Sequence, residues 1–90
     1  MKKAIITVQG YDRVGIIAGV CTLLAERDVN ILDISQTILS GLFNMTMIVD
    51  VSAMDLSFGE LADALEALGR SLGVQIRAQS EEIFQMMHRI

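Results

Sequence analysis

The chain has 90 residues, 52% of them hydrophobic and only 20% charged, which fits one small globular domain and excludes intrinsic disorder. A formal net charge of −4 argues against nucleic-acid binding, and a single cysteine excludes both a disulfide framework and a cysteine-cluster metal site. Because one small core cannot hide so large an apolar fraction, we expect the protein to bind a partner.

The first residues look like a secretion signal only briefly. The apolar run stops at Gln9 and the charged residues Asp12 and Arg13 follow, whereas a signal peptide needs a longer apolar run and a cleavage site. The longest charge-free stretches are either too short or too polar to cross a bilayer. The sequence therefore predicts a cytoplasmic protein without membrane contact, in which the thiol of Cys21 stays reduced.

The first half of the chain alternates between strand and helix patterns. Hydrophobic periodicity and turn signals predict a strand over residues 3–9, a turn at 10–13, a helix over 14–27, a strand over 30–39, a hairpin turn at Ser40 and Gly41, and a strand over 43–51. In the second of these strands Leu32, Ile34 and Ile38 share one side, which we expect to face the core.

The second helix has clear start and stop signals. Ser57 and Glu60 are spaced as a capping box, and Gly73 follows the last leucine of the apolar stripe. Residues 74–79 then alternate as a final strand. These signals predict a second crossover helix that returns the chain to the sheet.

The order β-α-β-β-α-β is that of a ferredoxin-like α+β sandwich. Right-handed crossovers place the first and third strands at the centre of the sheet and both helices on one face. This plan is complete at Gln79, so we divide the chain into a domain over residues 1–79 and a tail over residues 80–90. Ser80 begins the tail as an N-cap, which predicts a C-terminal helix.

The first helix has a side without charges. Opposite its apolar face it carries Gly15, Ala18, Gly19, Thr22 and Ala25. Such a side lets another backbone approach closely, although it can also simply face water. The strand over residues 30–39 lies at an edge of the predicted sheet and has Asp33 as its only charge, which protects it weakly from pairing. Together these features predict a homo-oligomer, most simply a dimer.

The turn between the first strand and the first helix is a candidate site. Unpaired amides at a helix N-terminus suit an anion, and Gly10 and Gly15 allow close approach. Asp12 would repel a phosphate; it either binds the ammonium group of a zwitterion whose carboxylate meets the amides, or it is a plain N-cap. Arg13 is expected to be a solvated charge. The residues after Gly15 lack the Lys and Ser/Thr of a phosphate-binding loop, which excludes a nucleotide site of that kind.

Two segments resemble the signatures of ACT domains. Residues 12–16, Asp-Arg-Val-Gly-Ile, resemble the D-R-P-G-[LIV] motif of the family, and residues 28–31, Asp-Val-Asn-Ile, resemble its G-[VI]-N-I element. The resemblance covers residues 3–79 and is greatest to short stand-alone ACT proteins and to the N-terminal domain of formyltetrahydrofolate deformylases. Val14 stands where the family usually has proline, and Asp28 stands where it usually has glycine.

The resemblance implies a regulatory module that binds an amino acid at a subunit interface. The ligand contacts of the family come from the turn after the first strand and from the residues that open the second strand. Carried over by motif, the implied ligand-binding residues are Tyr11, Asp12, Arg13, Val14, Gly15, Ile16, Asn30 and Ile31. We therefore expect a non-catalytic amino-acid-binding module that needs no cofactor or metal and acts in trans on a target enzyme.

Other interpretations compete with this one. A structural interaction module without ligand would have the same composition and fold. An acylphosphatase also has the sequence Val8-Gln9-Gly10 after its first strand, but it needs an arginine four residues after the glycine, where this chain has Arg13 three after it. An RNA-recognition module needs aromatic residues on the open sheet face, whereas Phe43 shares the parity of the core residues. The single histidine, His88, fits a cation near the end of the tail helix better than a metal ligand.

Overall fold

The structure, a computed structural model, describes residues 1–81. Its elements are, in chain order, β1 (Lys3–Tyr11), α1 (Ile16–Glu26), β2 (Asn30–Leu39), β3 (Leu42–Asp50), α2 (Phe58–Leu72) and β4 (Val74–Ser80). This order confirms the predicted β-α-β-β-α-β plan. The predicted tail covers residues 80–90 and begins at Ser80, which in the structure is the last residue of β4 and lies opposite Ala4. Residues 82–90 lie outside the described part of the chain, so the C-terminal helix stays a prediction.

The four strands form one antiparallel sheet in the order β2-β3-β1-β4, so β1 and β3 are central as predicted. Pairing of β1 with β3 places Ile6 opposite Met47, and pairing of β1 with β4 places Ile6 opposite Ala78. Because opposite residues in a ladder share a face, this register aligns one continuous apolar face across the sheet.

The core lies between this apolar face and the two helices. The sheet contributes Ala4, Ile6, Val8, Phe43, Met45, Met47, Val49 and Ile76, and the helices contribute Ile16, Val20, Leu24, Leu61 and Leu65. No polar or charged residue within residues 1–81 is buried. In the same part of the chain, no helix is both long and apolar enough to cross a bilayer.

The second helix, α2, begins and ends as the sequence predicts. Ser57 Oγ accepts the Glu60 N–H at 3.1 Å, and Glu60 Oε1 accepts the Ser57 N–H at 3.0 Å, so the capping box is formed. Hydrogen bonds with Ser57 hold the pKa of the Glu60 carboxyl below its usual value. The bond from the Ser57 N–H has the larger effect, and the bond with the Ser57 hydroxyl has the smaller one. At the other end Gly73 has a φ of 73°, the left-handed conformation in which helices commonly end.

The first helix, α1, begins two residues later than predicted. Gly15 has a φ of 97°, a left-handed conformation that places it outside the helix, so α1 begins at Ile16. Gly19, assigned by the helical wheel to the outer side, faces α2 instead: a Cβ at this position would lie 3.2 Å from Leu72 Cδ1. Part of the side that was expected to contact a partner is therefore used for packing within the protomer.

The second strand, β2, is an edge strand that the helices leave largely uncovered. A bulge between Ile31 and Asp33 interrupts its register with β3, so Ile31, and not Leu32, packs against the core. Every residue from Leu32 to Leu39 is exposed. The predicted alternation of this strand therefore begins only after the bulge, and its apolar side is not covered by the core as the sequence suggested.

Candidate ligand site

The turn between β1 and α1 lies at the end of the sheet that also carries the β2–β3 hairpin turn. Tyr11, the last residue of β1, is opposite Leu42, and the Asp12 N–H donates to the Gly41 carbonyl oxygen at 2.8 Å. These contacts fix the start of the turn against the hairpin. The implied site residues from 11 to 16 therefore lie together at one end of the sheet.

The N-termini of α1 and α2 differ in how their amides are satisfied. In α2 the capping box occupies the Glu60 N–H and the Ser57 N–H. In α1 the N-cap is Gly15, and within residues 1–81 no side chain caps the first turn and no acidic residue lies in it. Asp12 is therefore not the N-cap, which was one of the two roles considered for it. The first-turn amides of α1 keep their capacity to bind an anion.

Arg13 is not the freely solvated charge that the sequence suggested. Its Nη1 donates to the Leu72 carbonyl oxygen at 3.0 Å, at the C-terminus of α2. A cation at this end of a helix satisfies a free carbonyl group and interacts favourably with the helix dipole. Arg13 therefore ties the turn to α2, and we interpret it as a residue that positions the turn.

The side chains of the turn divide into an exposed and a buried group. Val14 is 98% exposed and Tyr11 is 75% exposed, whereas Ile16 is 1% exposed and belongs to the core. A ligand at this turn therefore meets only the backbone of Ile16. Gly15 presents no obstacle, because a Cβ at this position would have no neighbour within 4 Å.

Asn30 and Ile31 lie at the opposite end of the sheet from the turn. Asn30 is opposite Asp50, and Asp50 is opposite Lys3 at the start of β1. Tyr11 is eight residues further along β1, which is about 26 Å in a strand. Within one protomer the structure therefore does not bring the two implied parts of the ligand site together.

Two open cavities lie elsewhere on the molecule, and neither is lined by any implied ligand residue. One, of about 560 Å³, lies between the first residues of the chain, the start of α2 and the end of β4. The other, of about 590 Å³, lies between α2 and the start of β4. Because binding sites for small molecules are normally concave, a ligand at the open turn needs a second surface to enclose it.

Two of the competing interpretations require features that residues 1–81 do not contain. No group of three or more His, Cys, Asp or Glu side chains within residues 1–81 could hold a metal ion. Gly10 lies inside β1, opposite Phe43 and Val74, so the Val8-Gln9-Gly10 sequence belongs to a strand and not to a phosphate-binding loop. Cys21 is half-buried and packs against the core, as expected of a small apolar residue.

Sequence reasoning missed an apolar row beside the turn. Leu39 is opposite Leu42, and Leu42 is opposite Tyr11; all three side chains are exposed. The two-residue hairpin turn is a signal for the first pair, but the pairing of β1 with β3, which adds Tyr11, depends on tertiary structure. The row extends the candidate site from the turn onto the open face of the sheet.

Comparison with known proteins agrees with this fold. The family model described as ACT domain matches residues 2–79. This chain belongs to the ACT domain family. ACT domains are regulatory modules that generally bind small-molecule ligands.

Proteins similar to this ACT domain include both curated sequences and solved structures. A UPF0237 protein of Bifidobacterium longum is 61% identical over 90 residues, which covers 100% of each chain. An ACT domain protein from Streptococcus pneumoniae superposes with a TM-score of 0.82 at 46% identity, over 93% of this chain and 94% of that one. A formyltetrahydrofolate deformylase from Pseudomonas syringae pv. tomato superposes with a TM-score of 0.82 at 22% identity, over 89% of this chain and 28% of that one, a likeness of fold alone.

Proposed function

We propose that this protein binds a free amino acid at the turn between β1 and α1 and, as a homodimer, regulates a target protein in trans. The observation that carries this proposal is the uncapped start of α1 next to the exposed carboxylate of Asp12. A donor group and a carboxylate side by side match the carboxylate and ammonium groups of an amino acid. Membership of the ACT domain family supports the proposal, because these domains generally bind small ligands.

Each part of the turn has its own role in this function. The first-turn N–H groups of α1 donate to the ligand carboxylate, and the positive end of the helix dipole adds to the attraction. The carboxylate of Asp12 accepts from the ligand ammonium group. Gly15 leaves room for close approach, and the exposed side chains of Tyr11 and Val14 flank the ligand's own side chain. Arg13 keeps the turn in place through its bond to the end of α2.

The role implied for Asn30 and Ile31 requires a second copy of the chain. In their own protomer these residues lie at the far end of β1, about 26 Å from the turn. The Asn30 amide therefore reaches a ligand at the turn only across an interface. A second copy would also enclose the open turn, as a site for a small ligand needs. The homodimer is thus a necessary part of the proposed function.

Thermal unfolding with each standard amino acid at about 10 mM tests the proposal. A ligand with a Kd of about 1 mM stabilises the native state by about 1.4 kcal/mol, which raises the Tm of a domain of this size by about 5–10 °C. Asp12→Asn should abolish the shift, because a neutral amide attracts an ammonium group only weakly. Asp55→Asn, at an exposed position in the β3–α2 connection, is the matched control and should leave the shift unchanged. If no amino acid changes the Tm, the protein is not an amino-acid sensor.

Mixed dimers test whether the site is shared between two copies. Asp12→Asn and Asn30→Ala should each abolish binding when both copies carry them. In an equal mixture of the two variants, a mixed dimer has one site with both native residues, so about a quarter of all sites should bind in a twofold dimer. Isothermal titration calorimetry measures this stoichiometry. A site contained in one protomer predicts no recovery at all.

A structural interaction module without ligand is the second candidate function. The observation that favours it is β2, whose exposed apolar side chains form an interaction surface whether or not the turn binds anything. A stable oligomer that shows no thermal shift with any amino acid would favour this function over sensing.

A further inference from the structure

A recess lies between α2 and β4, at the edge of the sheet that is farthest from β2. Its volume is about 590 Å³. One wall is a single stripe of α2 within residues 66–73, and the other wall is the start of β4, residues 74–77. We call it the α2–β4 recess. The candidate ligand site does not account for it, because no implied ligand residue lines it.

The α2–β4 recess is not suited to a further β-strand. Although β4 is an edge strand, and such edges commonly pair with another chain, α2 stands against the start of this edge. A Cβ at Gly69 would lie 2.7 Å from the Val74 carbonyl oxygen and 3.4 Å from the Ile76 nitrogen. The helix therefore covers these backbone groups. An occupant of the recess has to bind through its side chains.

Basic side chains surround the recess in a chain that is acidic overall. Arg70 in the helix wall and Arg77 in the strand wall are both exposed. Arg13 stands at one end, where its Nη1 is 3.5 Å from the position of a Cβ at Gly73. Among the described residues, Glu66 is the only acidic one that lines the recess. Three guanidinium groups against one carboxylate make this surface positive, whereas the whole chain has a net charge of −4.

The guanidinium groups of Arg70 and Arg77 can accept a further anionic partner. Arg70 Nη1 donates to Glu66 Oε1 at 3.1 Å, and more than half of each side chain is exposed. An exposed pair of this kind is weak and rearranges readily, and the other donors of Arg70 remain available. Within residues 1–81 the Arg77 side chain has no hydrogen bond or ion pair.

The floor of the recess is apolar. Ile76 belongs to the core, Val74 packs against it, and Gly69 contributes no side chain. Guanidinium groups above an apolar floor match a peptide in which carboxylates flank an apolar residue. We propose that the α2–β4 recess binds an acidic segment of a partner protein, with its carboxylates on Arg70 and Arg77 and an apolar residue on the floor.

Other occupants fit this surface less well. A nucleic acid presents a long row of phosphates, which the net charge of the chain repels beyond the few arginines of the recess. A second copy placed recess to recess about a twofold axis would bring the arginines of both copies together. A short acidic segment meets the arginines without either conflict.

Arg13 connects the recess to the turn between β1 and α1. It belongs to the turn, and its Nη1 donates to the Leu72 carbonyl oxygen at 3.0 Å, beside the recess. A ligand that moves the turn would therefore alter one end of the recess. That the partner is the regulated target rests on the proposed function. The binding of an acidic segment is tested without any amino acid, so its failure is distinguishable from a failure of amino-acid sensing.

Titration with two blocked pentapeptides, followed by nuclear magnetic resonance, tests the proposal. One peptide has leucine between two pairs of acidic residues; in the matched control, side-chain amides replace the carboxylates. At about 50 mM salt we expect the acidic peptide to bind with a Kd below about 1 mM, to shift the amide signals of Val74 and Ile76, and to bind more weakly as salt is added. The control should bind at least about 10-fold more weakly. Equal binding of the two, or shifts confined to other parts of the chain, would overturn the proposal.

Arginine variants test which side chains bind the peptide. Arg70→Gln and Arg77→Gln should each raise the Kd about 3–5-fold, because each removes one ionic contact at a partly exposed site. Both residues are exposed, so the fold should persist, which circular dichroism checks. Arg27→Gln removes the same charge at the exposed end of α1 and should leave the Kd unchanged. An equal loss in Arg27→Gln, or no loss in either recess variant, would overturn the proposal.

Two further titrations test the other occupants of the recess. Inorganic phosphate that shifts the same signals at the same concentration as the peptide would indicate a site for any small anion. Recess signals that shift as the protein alone is concentrated would indicate a second copy. Either result would overturn the proposal, whereas unshifted signals in both titrations support it.

Discussion

Alanine substitutions at two glycines of α2, Gly69 and Gly59, would test how closely this helix packs on β4. A Cβ at Gly69 would lie 2.7 Å from the Val74 carbonyl oxygen and 3.2 Å from Ile76 Cγ1. A Cβ at Gly59 would meet nothing closer than Ser57 Oγ, at 4.0 Å. At both positions alanine favours the helical backbone over glycine by about 0.5–1 kcal/mol. The two substitutions therefore differ mainly in packing.

Gly69→Ala is expected to destabilise the protein, and Gly59→Ala is expected to stabilise it slightly. A backbone oxygen 2.7 Å from the new methyl group forces α2 or β4 to move by several tenths of an ångström, and such overpacking costs about 1–3 kcal/mol. The Tm values of the two variants should therefore differ by roughly 5–20 °C. Both are measured by circular dichroism at one protein concentration, because self-association makes the Tm depend on concentration. Equal Tm values would refute the close approach of α2 to β4.

Three further predictions concern acid stability, the turn and the tail. Because hydrogen bonds with Ser57 lower the pKa of Glu60, its carboxylate stabilises the fold fully above the usual value of 4.5 and less as the pH falls through the lowered value. Glu60→Gln should therefore reduce stability in urea at pH 7 and have no such effect at pH 2; an equal loss at both would contradict this. Arg13→Ala should speed hydrogen exchange of the turn amides, because it removes the bond to the end of α2, and unchanged exchange would count against that anchoring role. Deletion of residues 81–90 is expected to lower the Tm and shift the assembly toward monomer, since the predicted tail helix is too short to persist without docking; an unaltered Tm and sedimentation profile would show otherwise.

Elements marked by local signals were predicted well. The capping box of Ser57 and Glu60 and the hairpin turn at Ser40 and Gly41 each depend on a few neighbouring residues, and both are present in the structure. The start of α1 was predicted two residues too early. The apolar periodicity continues through the turn, and only the left-handed conformation of Gly15 ends it.

The candidate site was predicted only in part. The motifs identified the turn residues and Asn30 but gave no information about the distance between these residues. The structure places the turn and Asn30 at opposite ends of the sheet. Nor could the motifs reveal that Arg13 bonds to Leu72, 59 residues away in sequence. A motif records which residue types occur together, whereas the contacts of each residue depend on which strands and helices become neighbours.

The sequence by itself determined the order of strands and helices, the central position of β1 and β3, and the membership of most of the core. These features follow from periodicity, capping and turn chemistry, which act over a few residues, and from the handedness of crossovers. Only the tertiary structure decided that Gly19 packs against α2, that a bulge follows Ile31, and that Ile34 and Ile38 stay uncovered. The physical reason is that two helices cannot cover four strands equally, and the strand left bare depends on the packing of the whole chain, which no local pattern encodes.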